Sequence, residues 1–234
     1  RGFARADLRR PAGNLSVAHL GTTREYGAFL AVNAHLLVRT RALMVTFAFV
    51  TAAGALLGGV ILAANAVLFN MLNLMSFALD GFAHAAEALV GKAVGARNRS
   101  SLERAVQLAL KWSLAVAILF CLFFLAGGKP IIRLLTDLPD VIEVADEYVP
   151  WLWCLPLVAV WSYLYDGVFV GATRAREMRD IMLVSSFLVF VPAWYVLQPL
   201  GNHGLWLALT LFLASRGIGM HLYYRSRVLT AAPA

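Results

Sequence analysis

The chain has little charge and almost no cysteine. Only 14% of its 234 residues are charged, against about 25% in a typical soluble domain. Hydrophobic residues make up 61% of the chain, more than a globule of this length can bury, so a soluble globule, a disordered chain and a nucleic-acid binder are excluded. Cys121 and Cys154 lie in separate apolar runs and form no CxxC pair, which leaves no redox or metal-binding motif. An integral membrane protein remains.

The motifs of membrane enzymes are also missing. The sequence has no HExxH, no GxSxG, no paired aspartate-rich motif and no glycine-rich loop of the kind that holds phosphate. We therefore expect a protein that is not an enzyme and that uses no cofactor and no metal.

Long charge-free runs predict the number of membrane spans. Residues 42–79 contain no charged side chain, and a single helix of that length would measure about 57 Å. The hydrocarbon core is only about 30 Å thick, so this run must fold back, and Gly58-Gly59 supplies the break. The run from 181 to 215 folds back in the same way at 199–204.

The resulting prediction is an all-α bundle of six transmembrane helices, since helices satisfy their own backbone in lipid. Residues 1–28 are expected to form a cytoplasmic basic linker, 29–225 the transmembrane lobe and 226–234 a cytoplasmic tail. The six spans are predicted near 30–57, 60–90, 104–126, 142–171, 179–198 and 204–224.

The basic residues predict the orientation of the chain. If the spans alternate, 17 of the 20 Lys and Arg residues fall on one side, and only Lys129 and Arg133 fall on the other. Such an asymmetry is typical of cytoplasmic loops, so both termini are predicted to be cytoplasmic in a multi-pass protein of the inner or plasma membrane. The net charge of +7 then reflects membrane orientation and requires no nucleic acid.

The second span carries a polar stripe. Its members fall within an arc of about 80° on a helix that is otherwise apolar: Asn73, Ser76, Asp80, His84 and Glu87. Ionisable groups in a span are costly and mark functional candidates, so the stripe predicts a wet cavity. The alternative is a hydrogen-bonded seam between helices, with Glu87 solvated near Lys92 and Arg97.

The fourth span carries Asp166, one turn after Ser162 and Tyr163. Its depth predicts a functional carboxylate in a cavity, where it can exchange a proton. The alternative is a structural ion pair with Arg39 or Arg216 from another span.

Three segments resemble a known transporter family. The run AANAVLFNMLNLMSFALDGFAHAAEALVGKAVGARNR at 63–99 resembles the second span and inner loop of the C-terminal lobe of multidrug and toxic compound extrusion (MATE) transporters, and is closest to their DinF-like branch. WSYLYDGVFVGATRAREMRD at 161–180 is similar to the tenth helix of that family, and PLGNHGLWLALTLFLASRGIG at 199–219 to the start of its twelfth.

The resemblance implies a fold of twelve helices in two lobes, of which this chain forms the C-terminal lobe. It implies partners: the lipid bilayer, the missing N-terminal six-helix lobe and a small-molecule substrate. The substrates of the family, often cationic and amphipathic, bind between the lobes. They leave in exchange for protons or sodium, so an ion gradient serves as the energy source. The acidic residue on the seventh helix of some branches has no counterpart here, since the first span offers Asn33, His35 and Arg39. This difference argues against sodium coupling through this lobe.

Residue roles follow from the stripe and the resemblance together. Asp166 matches the family's tenth-helix carboxylate and is assigned to proton or cation coupling. Six residues are predicted to line the cavity: Asn73, Ser76, Asp80, His84, Ser162 and Tyr163. Three are predicted to form the inner gate or to be structural: Arg39, Glu87 and Arg216.

Two other functions remain open. The chain could be a structural or assembly lobe with no transport of its own. It could also belong to a lipid-carrier flippase, which would predict a broad basic cavity. Asp80 and Asp166 lie inside the spans with only Arg216 clearly basic, so the sequence favours a cationic cargo.

Overall fold

A computed structural model describes the backbone of residues 23–229 and the side chains of residues 30–229. Within that part of the chain the structure is helical, with no strand, as the composition predicts. Most of the linker predicted at 1–28 and the end of the predicted tail, 230–234, lie outside the described residues. The α-helices are α1 Thr23–Leu57, α2 Gly59–Gly95, α3 Arg99–Leu135, α4 Pro139–Tyr148, α5 Pro150–Gly171, α6 Ala175–Leu183, α7 Val191–Leu197 and α8 Gly201–Tyr223.

Five segments of the described chain are long and apolar enough to cross a membrane. They are Leu30–Leu57, Gly59–Gly95, Arg99–Leu135, Pro150–Gly171 and Ala175–Val228. The last has 54 residues and is broken by a short 3₁₀ turn, Gln198–Leu200, and by Gly201, whose φ is +57°. Since about 20 residues suffice to span the hydrocarbon core, this segment has the length to cross twice. Gly58, with φ +133°, makes the corresponding turn between α1 and α2.

The third helix is longer than the sequence analysis predicts. The expected span near 104–126 stops before Gly127-Gly128-Lys129-Pro130, whereas α3 continues through these residues to Leu135. Gly128 packs tightly, because a Cβ there would lie 2.8 Å from the Cγ2 atom of Val149. Asp146 of α4 faces the same end of α3, 3.9 Å from Lys129 Nζ and 3.7 Å from Arg133 Nη2. Tertiary contacts therefore hold a helix across residues that usually end one.

The fourth span also differs from the prediction at its N-terminal end. The predicted segment 142–171 is two helices, α4 and α5, which meet at Val149. Pro150 has no N–H to continue α4, and its fixed φ suits the first position of a new helix. The α4 helix is amphipathic, with Val141, Ala145 and Tyr148 buried.

The fifth span contains a π-helix, Val184–Phe190, between α6 and α7. Pro192 follows directly, and its ring would clash with the carbonyl of residue 188 in a regular α-helix. The wider π-turn relieves that clash. Ser186 in this segment is buried and accepts a hydrogen bond from the Thr46 hydroxyl at 3.1 Å, which ties the π-helix to α1.

The α5 helix is the centre of the bundle and packs against α2, α3 and α8. Its close approach to α2 depends on Gly167 and Gly171, where an added Cβ would clash with the backbone carbonyls of Ala83 and Glu87. Glycines four residues apart allow two membrane helices to pack backbone to backbone. Because Gly167 faces Ala83 and Gly171 faces Glu87, the two helices keep one register.

The buried apolar side chains form two separate clusters. The first cluster includes Leu79 of α2, Val160 of α5 and Leu213 of α8. The second cluster includes Ala86 of α2 and Leu164 of α5. Asp80 and Arg216 lie between the two clusters along α2 and α8, whereas Asp166 lies beside Leu164, Tyr165 and Val168 of the second cluster. The charged side chains therefore lie near the border of the two apolar cores.

The packing of α2 on α5 predicts the effect of one methyl group. Gly167→Ala should destabilise the lobe by about 2 kcal/mol or more, because the new Cβ has no room beside the Ala83 carbonyl. Thermal unfolding of the detergent-purified protein measures this change.

Gly81→Ala is the matched control, since a Cβ at Gly81 meets nothing within 4 Å. That change should be neutral or stabilise the helix by up to about 1 kcal/mol. Equal melting temperatures for the two variants would contradict the proposed glycine contact.

Candidate functional site

The centre of the site is the carboxylate of Asp166 on α5. Its Oδ2 atom accepts hydrogen bonds from two guanidinium groups, Nη2 of Arg216 on α8 at 2.8 Å and Nη2 of Arg39 on α1. Three helices thus meet at one oxygen atom. The sequence analysis left a pair with either arginine open as the alternative to a free carboxylate, and the structure contains both pairs.

The three side chains are shielded but retain unused hydrogen-bonding capacity. The side chains of Asp166 and Arg39 are 19% and 17% exposed, and that of Arg216 is 5% exposed. Asp166 Oδ1 and the Nε atoms of both arginines are buried without a hydrogen-bond partner. Since buried polar atoms are normally paired, this cluster can accept a further polar group or proton.

Asp80 on α2 belongs to the same electrostatic cluster. It interacts through space with Asp166, Arg39 and Arg216, and it is half-buried. The cluster therefore holds two acids and two bases. The sequence argument for a cationic cargo counted only Arg216 as clearly basic inside the spans, and Arg39 now adds a second base that balances the two acids.

A hydroxyl pair extends the cluster. The Ser76 and Tyr163 oxygens lie 2.5 Å apart, and Ser76 also donates to the Leu72 carbonyl at 3.0 Å. Tyr163 interacts electrostatically with Asp80, Asp166 and Arg216. Ser76, Asp80 and Tyr163, three of the predicted cavity residues, are thus brought together around Asp166.

The remaining stripe residues are exposed or half-buried, and of these His84 also interacts electrostatically with Asp80. Asn73 is exposed, and His84 is exposed with its Nδ1 3.5 Å from Glu87 Oε2. Glu87 therefore contacts His84 rather than the expected Lys92 or Arg97 among the described ion pairs. Ser162 is fully buried and donates to the Leu213 carbonyl at 2.7 Å, so its hydroxyl serves helix packing rather than lining a cavity.

The sequence analysis missed a buried amide network at the end of the lobe that contains Gly58 and Gly201. Asn65 of α2 and Asn202 of α8 exchange two hydrogen bonds, at 2.7 Å and 3.0 Å. The indole nitrogen of Trp206 donates to the same Asn65 oxygen at 3.0 Å. All three residues are at most 3% exposed. The signal in the sequence was an asparagine inside each of two apolar runs. Asn65 was assigned to a predicted span and Asn202 to a predicted turn, with no role for either side chain.

Asn65 also borders a groove between α1 and α2. The groove has a volume of about 320 Å³ and carries polar and aromatic side chains without any charge, including Thr51, Asn70, Asn73 and Phe69. The amide network thus fixes one wall of an uncharged groove.

This geometry is that of a lobe of a polytopic helical membrane protein with a charged cluster inside its bundle. The sequence profile of the MatE family matches residues 38–196, and the chain belongs to that family. Both the fold class and the family resemblance inferred from the sequence are therefore confirmed.

Two kinds of relative support the assignment. The chain is 46% identical over 196 residues to DNA damage-inducible protein F of Escherichia coli K12, a match that covers 84% of this chain and 42% of that protein. A crystal structure of MATE in the bent conformation matches with a TM-score of 0.80 at 18% identity, over 93% of this chain and 49% of that one. An outward-facing multidrug resistance MATE family transporter of the MOP superfamily matches with a TM-score of 0.75 at 18% identity, again over 93% and 49%. The chain thus spans about half the length of these structures and less than half of the E. coli relative.

The amide network predicts coupled stability effects. Asn65→Ala should cost about 1–3 kcal/mol of unfolding free energy, because it leaves the buried Asn202 and Trp206 donors unpaired. Asn202→Ala should cost less, since Trp206 still donates to the Asn65 oxygen and only the Asn65 amide N–H loses its partner. The double variant should cost less than the sum of the two, as measured by denaturant unfolding in micelles.

Asn70→Ala provides the control, because Asn70 is exposed in the same groove and on the same helix. It should leave stability within about 0.5 kcal/mol. Strict additivity of the Asn65 and Asn202 effects would show that the two amides do not act together.

Proposed function

We propose that the chain is the C-terminal half of a secondary active antiporter that exports small cationic or amphipathic compounds in exchange for protons. The observation that carries the proposal is the Asp166 carboxylate, held inside a membrane bundle by groups from two other helices in a MatE family chain. Acidic groups at such positions mark ion or substrate pathways. The family resemblance supplies the direction of transport and the class of cargo.

The mechanism follows from competition at one carboxylate. A proton that binds Asp166 removes the charge that attracts Arg39 and Arg216, so both ion pairs weaken together. Since these arginines belong to α1 and α8, neutralisation loosens two helices from α5. Protonation then shifts the balance between two conformations, which is all that coupling requires.

Asp80 has a supporting role in this proposal. When Asp166 is neutral, Asp80 is the acid that remains near the two arginines and limits the cost of an unbalanced charge. A cationic cargo can compete with the guanidinium groups for the same carboxylates. In the resting cluster the charges of the two acids and the two arginines balance. A cationic cargo is therefore selected because it can replace an arginine, and not because the cluster carries excess negative charge.

The proposal also includes the setting of the lobe. The chain crosses the inner or plasma membrane several times with both termini in the cytoplasm, in line with the position of its basic residues. A second six-helix lobe completes the transport pathway. The gradient that drives exchange is of protons rather than sodium, since the first span has Arg39 facing Asp166 and no acid of its own.

A second function is favoured by the same ion pairs. A carboxylate bonded to two guanidinium groups is also suited to hold three helices together, as in a structural lobe without transport activity. Removal of one member of such a buried group costs about 3–5 kcal/mol whatever its role. Loss of stability therefore does not distinguish the two functions. Transport activity, measured at equal amounts of folded protein, does distinguish them.

The test places residues 29–229 behind the part of E. coli DNA damage-inducible protein F that this chain does not match, and measures ethidium transport in everted vesicles. An imposed pH gradient should drive transport, and a sodium gradient should not. Asp166→Asn should reduce pH-driven transport at least tenfold because the exchanged proton loses its site.

The double variant Asp166→Asn/Arg39→Gln separates the two functions. It restores charge balance, so it should recover the amount of folded protein while transport stays lost. Recovery of transport together with folding would assign Asp166 to structure alone. Transport of ethidium by the 234-residue chain without a second lobe would contradict the half-transporter proposal.

A further inference from the structure

A second groove lies between α5 and α8, outside the charged cluster. Its volume is about 370 Å³, and its walls are apolar apart from one imidazole. The side chains that form it are Leu157, Val158, Trp161, Ala214, Ile218 and His221. Leu157 is 40% exposed and Ile218 is 59% exposed, so the groove opens on the surface of the bundle.

The groove depends on a glycine at its floor. A Cβ at Gly217 would lie 2.8 Å from the Cβ of Trp161, so only glycine lets the two helices approach this closely here. From Ala214 to His221 the groove follows α8 for about 10 Å at 1.5 Å per residue. An apolar groove parallel to a membrane helix has the shape to receive a hydrocarbon chain.

The end of the groove near residue 221 is polar and basic. The Tyr165 hydroxyl lies 2.6 Å from Nδ1 of His221, and the Tyr165 and Trp161 rings pack edge-on against the imidazole. With Tyr165 donating to Nδ1, the proton of the neutral ring lies on Nε2, where it is available to a ligand. Arg225, one turn further along, is exposed and interacts electrostatically with both His221 and Tyr165.

We infer that this groove binds an anionic phospholipid, with an acyl chain between α5 and α8 and the phosphate at His221 and Arg225. The charge of Arg225 and the imidazole N–H suit a phosphate, and basic residues at the end of a span attract anionic lipids. The apolar walls suit the acyl chain, which a free phosphate lacks. His221 belongs to the groove lining and interacts with Arg225, so one molecule can contact both the apolar walls and the basic end.

The test is native mass spectrometry of the full chain released from micelles that contain equal amounts of phosphatidylglycerol and phosphatidylcholine. The chain should retain phosphatidylglycerol with about a fivefold preference, the scale expected for one basic residue at a lipid headgroup. Arg225→Gln and His221→Phe should each abolish most of this preference. Ala214→Trp should displace both lipids because it fills the groove.

Arg227→Gln is the matched control, since Arg227 is exposed on the same turn but, unlike Arg225, has no electrostatic interaction with His221 or Tyr165. It should leave the preference unchanged. Equal retention of the two lipids by the unaltered chain, or an equal loss of preference in Arg225→Gln and Arg227→Gln, would overturn the inference. Inorganic phosphate that removes the preference for phosphatidylglycerol while both lipids stay bound would also overturn the inference. The site would then recognise the phosphate group alone.

Discussion

The lobe depends on one shared carboxylate. Asp166 Oδ2 accepts hydrogen bonds from guanidinium groups on two other helices, and its side chain is only 19% exposed. Charge inside a membrane bundle is stable only when it is paired, so these four charges, with Asp80 included, determine where α1, α2, α5 and α8 meet. The glycine contacts of α5 with α2 also help to place these charges, because they fix the positions of Asp80 and Asp166 relative to each other along the two helices.

Within the proposed function, the same arrangement gives a physical reason for conformational change. The apolar side chains form two clusters that adjoin near the charged residues, so the two ends of the bundle have separate cores. A single proton on Asp166 would weaken two ion pairs at once while leaving these apolar contacts in place. A change of charge here can therefore alter how α1 and α8 pack on α5 while the cores stay intact.

The sequence predicts the fold class well, because the length of charge-free runs and the thickness of a bilayer fix the number of crossings. It also identifies Asp80 and Asp166, since acids are rare in spans. It could not choose between a free and a paired Asp166, because Arg39 lies 127 residues away along the chain and only packing brings it near. The helix through Gly127 to Pro130 was missed because turn residues predict a break only when tertiary contacts do not oppose it. At Pro150 one span was predicted where the structure has two helices, because a proline inside a span can also be accommodated as a kink. The Asn65–Asn202 pair was missed because a lone amide in an apolar run gives no sign of its partner.

The most direct test of the central claim is the distance between α1 and α8 when the charge of Asp166 is removed. Spin labels at the exposed positions Val38 and Leu222 report on the helices that carry Arg39 and Arg216. In Asp166→Asn the distance distribution should shift or broaden by several ångströms relative to the unaltered protein, whereas Asp140→Asn in α4 should leave it unchanged. The same distribution in all three proteins would contradict the claim that this carboxylate holds the two helices in place.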